Sequence, residues 1–134
     1  MCETLYGIDL KPFFKARQIF EEFRLNLKTD QDKAGAIQSF EFCFELSWKT
    51  MKRLLQKKGI DTRSPRDYFR EAAQNGMIKN VKDWFSFIDK QNLTIHTYDM
   101  NVRDGVIKCF CLFSNELTAF VGYLHSEHQK STQP

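Results

Sequence analysis

The feature that most constrains this chain is a long run of apolar residues at helical spacing in its first half. Steps of three and four separate Ile37, Phe40, Phe44, Trp48, Met51 and Leu55. This spacing places them on one face of an α-helix. Further apolar residues widen that face: Phe42, Cys43, Leu46 and Leu54. We therefore expect this helix to lie at the centre of a helical bundle and to bury more than one side.

Two further helices are predicted from their end signals. Pro12 suits the first turn of an amphipathic helix before residue 29, because proline has no N–H to lose there. Asp30 or Asp32 is expected to cap the long second helix, and Gly59 to follow its end. A short helix is predicted from about 65 to 74, with Ser64 as its N-cap and Asn75-Gly76 as its stop.

The second half of the chain predicts two more helices. The first begins at about Val81 and continues through Tyr98, and the last covers about 102–125. Short connections favour antiparallel neighbours, so the sequence predicts an all-α, up-and-down four-helix bundle with an additional short helix. We expect a single domain over residues 1–134, with residues 1–9 and 126–134 flexible.

Composition agrees with one such domain. The chain has 134 residues, of which 42% are hydrophobic and 13 are Phe, enough for one sizeable core. A net charge of +3 is too small to indicate nucleic-acid binding by itself. The N-terminus has no basic start followed by an apolar run, and no apolar stretch approaches the roughly 20 residues of a membrane span. We therefore expect a cytoplasmic protein.

The cysteines point to the same compartment. Cys2, Cys43, Cys109 and Cys111 form no Cys-x-x-Cys pair. They are expected to be buried free thiols in a reducing cytosol. No metal-spaced Cys/His set, Gly-rich phosphate loop or nucleophile motif is present, so we predict neither a metal nor a cofactor.

One histidine has the neighbours that chemistry would need. On a continuous fourth helix, His96 shares a face with Asp89 and Asn92, and Tyr98 follows two residues later. An imidazole beside a carboxamide can act as a general acid or base near neutral pH. The alternative is that His96 and Asn92 form an i,i+4 pair that closes the helix end. Spacing alone leaves both open.

Three collinear stretches resemble one protein family. They are Ala36–Lys49 (AIQSFEFCFELSWK), Ser64–Ala72 (SPRDYFREA) and Asn92–Asp99 (NLTIHTYD). In order and spacing they resemble the nucleotidyltransferase substrate-binding proteins, which belong to the HEPN superfamily of helical bundles. The resemblance covers nearly the whole chain.

The resemblance implies a partner and a site. Such proteins pair with a minimal nucleotidyltransferase encoded by a neighbouring gene, and many pairs behave as toxin and antitoxin. In those pairs the HEPN protein is a metal-independent ribonuclease with an Arg-x4-His-x-Tyr motif, and the nucleotidyltransferase silences it by transferring AMP to the tyrosine. In this chain His96 and Tyr98 match that motif, whereas Gln91 occupies the arginine position.

Gln91 argues against ribonuclease activity. During RNA cleavage, negative charge develops on the phosphate, and an arginine guanidinium can bind it through two charge-assisted hydrogen bonds. The neutral amide of glutamine cannot do so. Lys90, Lys82, Arg103 or a residue of a second subunit could compensate. A partner-binding role does not depend on the missing arginine, because Tyr98 is present.

Four other motif residues have two open interpretations. Glu41 and Glu45 belong either to a solvated face or to a surface that meets basic residues of a partner. Arg66 and Arg70 could contact phosphate, or form a charged surface with the acidic residues between them.

Three hypotheses of function follow. The first is a binding module, homodimeric by analogy, that pairs with a nucleotidyltransferase and offers Tyr98 as an AMP acceptor. The second is an endoribonuclease toxin that uses His96 and Asn92. The third is an orphan helical domain whose site has decayed.

Overall fold

Helices account for most of residues 3–132, the part of the chain that the computed structural model describes. They are α1 (Lys11–Arg24), α2 (Asp30–Lys57), α3 (Pro65–Gln74), α4 (Val81–Leu93), α5 (Met100–Ile107) and α6 (Phe110–Thr132). A 3-10 turn, Thr94–His96, joins α4 to α5, and a short strand pair, β1 (Thr4–Leu5) and β2 (Ile8–Asp9), precedes α1. The predicted all-α fold class is confirmed.

Side-chain caps define where the helices begin. The Thr29 hydroxyl accepts a hydrogen bond from the Asp32 N–H, and the Asp32 carboxylate accepts one from the Thr29 N–H, both at 3.0 Å. Thr29, rather than Asp30 or Asp32, is therefore the N-cap of α2, with Asp32 completing a capping box. Ser64 caps α3 as predicted, accepting from the Asp67 N–H at 3.3 Å. Gly59 follows α2 at φ +80°, a conformation that favours glycine.

The centre of the core is aromatic, and Phe113 of α6 lies in its middle. The Phe113 ring is fully buried. Its centroid lies 5.0–6.3 Å from those of five other aromatic rings, contributed by α1, α2 and α4. These are Phe20, Phe40, Phe44, Trp84 and Phe87. Most of the pairs are edge-to-face, the arrangement that aromatic quadrupoles favour.

Helix α2 is the central element, but it buries less than its sequence pattern predicted. Phe40 and Phe44 are fully buried. Trp48 is half-buried and stacks on Tyr68 of α3, with ring centroids 6.2 Å apart. The expectation that Phe42 widens the buried face is wrong, because 64% of this residue is exposed.

The last predicted helix is divided, and it is longer than expected. Residues Lys108 and Cys109 separate α5 from α6, and α6 continues to Thr132 instead of ending near 125. Residues 126–132, which were expected to be flexible, are helical in the structure. The Tyr6 hydroxyl donates to Glu127 Oε2 at 2.8 Å, which ties this end of α6 to the N-terminal segment.

The start of the chain is also more regular than predicted. Leu5 pairs with Ile8 in an antiparallel hairpin whose turn residues, Tyr6 and Gly7, both have positive φ. This is the signature of a type I′ turn. Leu5 and Ile8 are buried in the core, so residues 4–9 pack against the bundle. Residues 1–2 and 133–134, including Cys2, lie outside the described part.

The three described cysteines differ in burial. Cys43 is buried, and burial raises the pKa of its thiol to about 12. Cys109 is half-buried and its pKa is likewise raised to about 12 by burial, while Cys111 is exposed. All three are free thiols, but the expectation of burial is confirmed only for Cys43.

The sequence predicted no membrane-spanning segment, but one segment meets the length and composition criteria for a membrane span. Met100–Thr132 is long and apolar enough to cross a membrane by length and composition alone, with a mean hydropathy of 1.2 in its best window. Half of that window is buried inside the bundle. A core helix such as α6 meets the same criteria, so they are weak evidence for a membrane span.

A buried carboxyl on α6 predicts how stability depends on pH. Glu116 is only 6% exposed and its Oε1 accepts a hydrogen bond from Asn80 at 3.2 Å. Burial raises the pKa of Glu116, and the neighbouring Asp83 carboxylate raises it further. A raised pKa in the folded state means that stability is highest below the ordinary value of 4.5 and falls as pH rises through the raised pKa.

Glu116→Gln is therefore expected to stabilise the protein at pH 7.5 by roughly 1 kcal/mol, with little effect near pH 4. Thermal unfolding at both pH values measures the difference. The control is Glu22→Gln, which removes the same charge from an exposed position on α1 and is expected to change stability by no more than about 0.5 kcal/mol. A Glu116→Gln variant that is less stable than the parent at pH 7.5 would contradict the argument.

Candidate functional site

Two threonines and an aspartate shape the turn between α4 and α5. The Thr94 hydroxyl donates to the Gln91 carbonyl at 2.7 Å, and the Thr97 hydroxyl donates to the Thr94 carbonyl at 3.0 Å. Asp99 then caps α5 by accepting from the Asn101 and Val102 N–H groups. These bonds tighten the end of α4 into a 3-10 turn and restart the chain as a helix three residues later.

This turn presents His96 and Tyr98 to solvent as a pair. Tyr98 is 83% exposed and His96 is also exposed. The Tyr98 Oη lies 3.4 Å from His96 Nδ1, and the two rings meet edge to face with centroids 5.9 Å apart. Either group can exchange a proton with the other or with a bound substrate, because no other part of the described bundle covers them.

The predicted alignment of site residues along one helix is wrong. Helix α4 ends at Leu93, so the α-helical spacing does not reach residues 95–98. Ile95, which a continuous helix would place on the same face as the buried Trp84, is 77% exposed. Asn92 is exposed, and within residues 3–132 it makes no hydrogen bond to His96, so the proposed i,i+4 pair is absent. Tight 3-10 winding after Leu93 is the physical reason.

Gln91 faces α2 and contacts Glu45. Burial alone would raise the pKa of Glu45, but hydrogen bonds from Lys49, Trp48 and Gln91 outweigh it and hold the pKa below its ordinary value. The Lys49 Nζ lies 3.0 Å from Glu45 Oε1, and the Trp48 Nε1 donates to Oε2 at 3.2 Å. The Gln91 amide therefore belongs to a network that is centred on this carboxylate.

Glu41 lies one turn earlier on α2, beside the 3-10 turn. It is half-buried, and burial raises the pKa of its carboxyl, an effect that hydrogen bonding to Thr94 partly offsets. Within the described chain Glu41 forms no ion pair. Two carboxylates of α2 therefore contact the segment that leads to His96 and Tyr98. Glu41 contacts Thr94, and Glu45 contacts Gln91.

Three basic residues were candidates to replace the missing arginine, and the structure places each of them differently. Arg103 is buried and committed to Asp30, with Nη1 and Oδ1 3.0 Å apart, and to Asp104. The Lys90 ammonium lies beside Gly105 of α5. Lys82 is exposed in the first turn of α4, at the opposite end of that helix from the motif. Of the proposed compensating groups, only one from a second subunit remains untested.

Arg66 and Arg70 are engaged within the protein. Arg66 pairs with Asp89 at 3.1 Å, and Arg70 pairs with Asp67 at 2.8 Å. Both guanidinium carbons also lie 5.1–5.2 Å from the centroid of the Phe85 ring. These contacts favour the interpretation of a charged surface that packs α3 against α4. The Asp89 carboxylate, which was predicted to share a face with His96, is paired with Arg66.

The arrangement has an imidazole for proton transfer and a phenol for nucleophilic attack, and it has glutamine rather than arginine at position 91. In the part of the chain that the structure describes, no three His, Cys, Asp or Glu residues form a group that could hold a metal ion. Nothing in the sequence pattern singles out Thr94, which links the motif to Glu41. The Asp99 cap could have been predicted from the sequence, because aspartate is a common N-cap immediately before a helix.

The all-α bundle described above is consistent with a HEPN-like fold. Residues 9–125 match the family described as nucleotidyltransferase substrate binding protein like. Because this match covers most of the chain, the protein belongs to that family, as the three sequence stretches indicated.

A curated relative extends the comparison. A Haemophilus influenzae protein named probable ribonuclease HepT is 46% identical over 71 residues, which cover 49% of this chain and 49% of that protein. The match therefore spans about half the length of this curated relative.

Two solved structures share the fold. One, from Haemophilus influenzae, is described as revealing the fold of a substrate binding domain of a nucleotidyltransferase. It has a TM-score of 0.71 and 32% identity, covering 85% of this chain and 94% of that one. A crystal structure of a Thermus thermophilus protein has a TM-score of 0.78 and 24% identity, covering 84% of this chain and 98% of that one.

Proposed function

We propose that this protein is the helical partner of a minimal nucleotidyltransferase in a two-component system of the toxin-antitoxin type, and that Tyr98 accepts AMP. The observation that carries the proposal is the exposure of Tyr98, whose hydroxyl is open to a second protein and contacts only His96 within the described chain. Family membership and the description of the Haemophilus influenzae structure support a nucleotidyltransferase as partner.

The proposed transfer of AMP from ATP to Tyr98 is a nucleophilic displacement at phosphorus. The Tyr98 Oη attacks the α-phosphorus of ATP, the Oη–P bond forms, and the bond to the bridging oxygen breaks to release pyrophosphate. The hydroxyl proton can pass to His96 Nδ1, which lies 3.4 Å from it. In this scheme the enzyme supplies the nucleotide and this chain supplies the acceptor.

Exposed apolar residues surround the acceptor and suit a protein partner. Ile95 and Met100 flank Tyr98 on the chain, and both are more than half exposed. Apolar side chains that are clustered at one exposed turn are typical of a contact surface. We further propose that the protein is a cytoplasmic homodimer, and that Glu41, which forms no ion pair within the described chain, meets a basic residue of a partner.

Intact mass after co-expression with the neighbouring nucleotidyltransferase and ATP tests this function. We expect the parent to gain one or more AMP units and Tyr98→Phe to gain none, since phenylalanine lacks the acceptor oxygen. Tyr6→Phe removes a hydroxyl from another exposed tyrosine and serves as the control. Equal modification of Tyr98→Phe would exclude Tyr98, and the failure of the two proteins to co-purify at micromolar concentration would exclude the partnership.

A second function, RNA cleavage, has support from the exposure of His96 and from the name of a relative. The imidazole of His96 is exposed and so is free to act as a general acid or base on RNA, and the name of one relative, probable ribonuclease, agrees with such a role. In that function His96 would move protons at the 2′-hydroxyl and the leaving oxygen, with Asn92 nearby. If His96→Ala were as toxic in a host cell as the parent, this function would be excluded.

A further inference from the structure

A wide groove between α1 and α6 has no part in the site described above. Its volume is about 710 Å³, within the range of roughly 300–1,000 Å³ that ligand pockets occupy. Residues from one face of each helix line it, including Phe14, Arg17, Glu21, Arg24, Thr118 and His125. None of its lining residues belongs to α4, α5 or the turn between them.

The charge of Arg17 is not neutralised by the described part of the protein. The Arg17 Nη2 donates to the Thr118 hydroxyl at 3.2 Å, while its Nε is buried with no hydrogen-bond partner. No ion pair to a carboxylate is made by this guanidinium within residues 3–132. A half-buried charge that has only a neutral partner favours an anion from outside the protein.

The nearest carboxylate in the groove is already occupied. One oxygen of Glu21 accepts from the Arg24 Nε at 2.7 Å, and the other accepts from the Ser114 hydroxyl at 2.5 Å. Glu21 therefore balances Arg24 and leaves Arg17 without a counter-ion among the described residues. Two guanidinium groups and one carboxylate give the groove a net positive charge.

One end of the groove is aromatic. The Phe14 and His125 rings are nearly parallel, at 14°, with centroids 6.1 Å apart. His125 is exposed, so one face of its ring is open to stack with a flat ligand. An aromatic surface therefore lies in the same groove as the uncompensated arginine.

We propose that this groove binds a nucleoside monophosphate, with its phosphate on Arg17 and its base against His125. A guanidinium binds phosphate through paired, charge-assisted hydrogen bonds, and planar bases stack on aromatic side chains. The volume suits a ligand larger than a bare phosphate ion. The site is separate from Tyr98 and does not depend on the proposed AMP transfer.

The site is tested by titrating the isolated protein with AMP, adenosine or inorganic phosphate. Each titration is monitored by two-dimensional NMR. AMP is expected to shift resonances of groove residues, with His125 among the largest shifts, and to bind more tightly than adenosine or phosphate. Equal affinity for AMP and adenosine would overturn the proposal, because the phosphate would then contribute nothing. Shifts confined to the His96–Tyr98 turn would also overturn it.

Charge-altering variants sharpen the test. Arg17→Gln is expected to weaken AMP binding about 10- to 100-fold. Arg63→Gln, which removes an exposed arginine outside the groove, should leave the affinity unchanged. Glu21→Gln is expected to strengthen binding by ~3-fold, since the net charge of the groove rises by one. If Arg17→Gln and Arg63→Gln had the same effect, the phosphate would not be bound by Arg17.

A third variant keeps the proposal testable even if changes at Arg17 disturb folding. His125→Ala should lower AMP affinity about 5- to 10-fold and leave the affinity for inorganic phosphate unchanged. Loss of both affinities, or of neither, would contradict the assigned stacking role. The NMR spectrum of each free variant shows directly whether the bundle is intact.

Discussion

Gln91→Arg is expected to raise the proposed RNA cleavage about 10²- to 10³-fold, the effect typical of one positioned donor that stabilises developing charge. The variant places a permanent cation on the last turn of α4, five residues before His96. Glu45, which now contacts the Gln91 amide, can hold one edge of the new guanidinium and leave the other edge for phosphate. Single-turnover cleavage of a labelled RNA measures the change.

Two controls separate this gain from a general increase in positive charge. Gln91→Lys supplies a point charge without the planar fork, so a smaller gain is expected. Gln91→Arg combined with His96→Ala should be inactive, because the proton-transfer group is then missing. A Gln91→Arg variant that cleaves RNA no faster than the parent would count against the proposed ribonuclease function, because the missing arginine would then not be what limits cleavage.

Phe113→Ala is expected to destabilise the fold by about 3–5 kcal/mol, at the upper end of what a single core truncation costs. The Phe113 ring fills the space between α1, α2 and α4 and contacts five aromatic rings. Its removal leaves a cavity that these large, interlocked rings cannot easily fill. Denaturant unfolding followed by circular dichroism measures the loss of unfolding free energy.

Phe42→Ala provides the matched control. It deletes the same atoms from a phenylalanine on α2 that is mostly exposed. We expect a change within about 0.5 kcal/mol, as for surface substitutions in general. Comparable losses for the two variants would mean that Phe42 is covered in solution, for example by a second subunit.

Much of the fold could be predicted because its signals are local. Helical spacing, Pro12, Ser64-Pro65, Gly59 and Asn75-Gly76 each act within one or two turns of the chain, and the helices begin and end near them. The exposure of Phe42 was not predictable in this way. It depends on whether another helix covers that part of α2, which hydrophobicity alone does not determine.

The candidate site shows the same division. The chemical groups at the site, an imidazole, a phenol and the glutamine in place of an arginine, follow directly from the motif. Their arrangement does not, because helical spacing was extended past Leu93, where the chain tightens into a 3-10 turn. That change depends on the Thr94 and Thr97 hydroxyls and on the Asp99 cap acting together.

The sequence by itself determined the helical class, the family and the chemical identity of His96 and Tyr98, because these depend on residue type and on spacing along one helix. Only the tertiary structure decided that Tyr98 is exposed, that Arg66 and Arg70 are engaged around Phe85, and that Gln91 faces Glu45. It also brought Arg17 and His125 into one groove across more than 100 residues of chain. Exposure and pairing depend on which helices pack together, and that is set by the whole core rather than by any local segment.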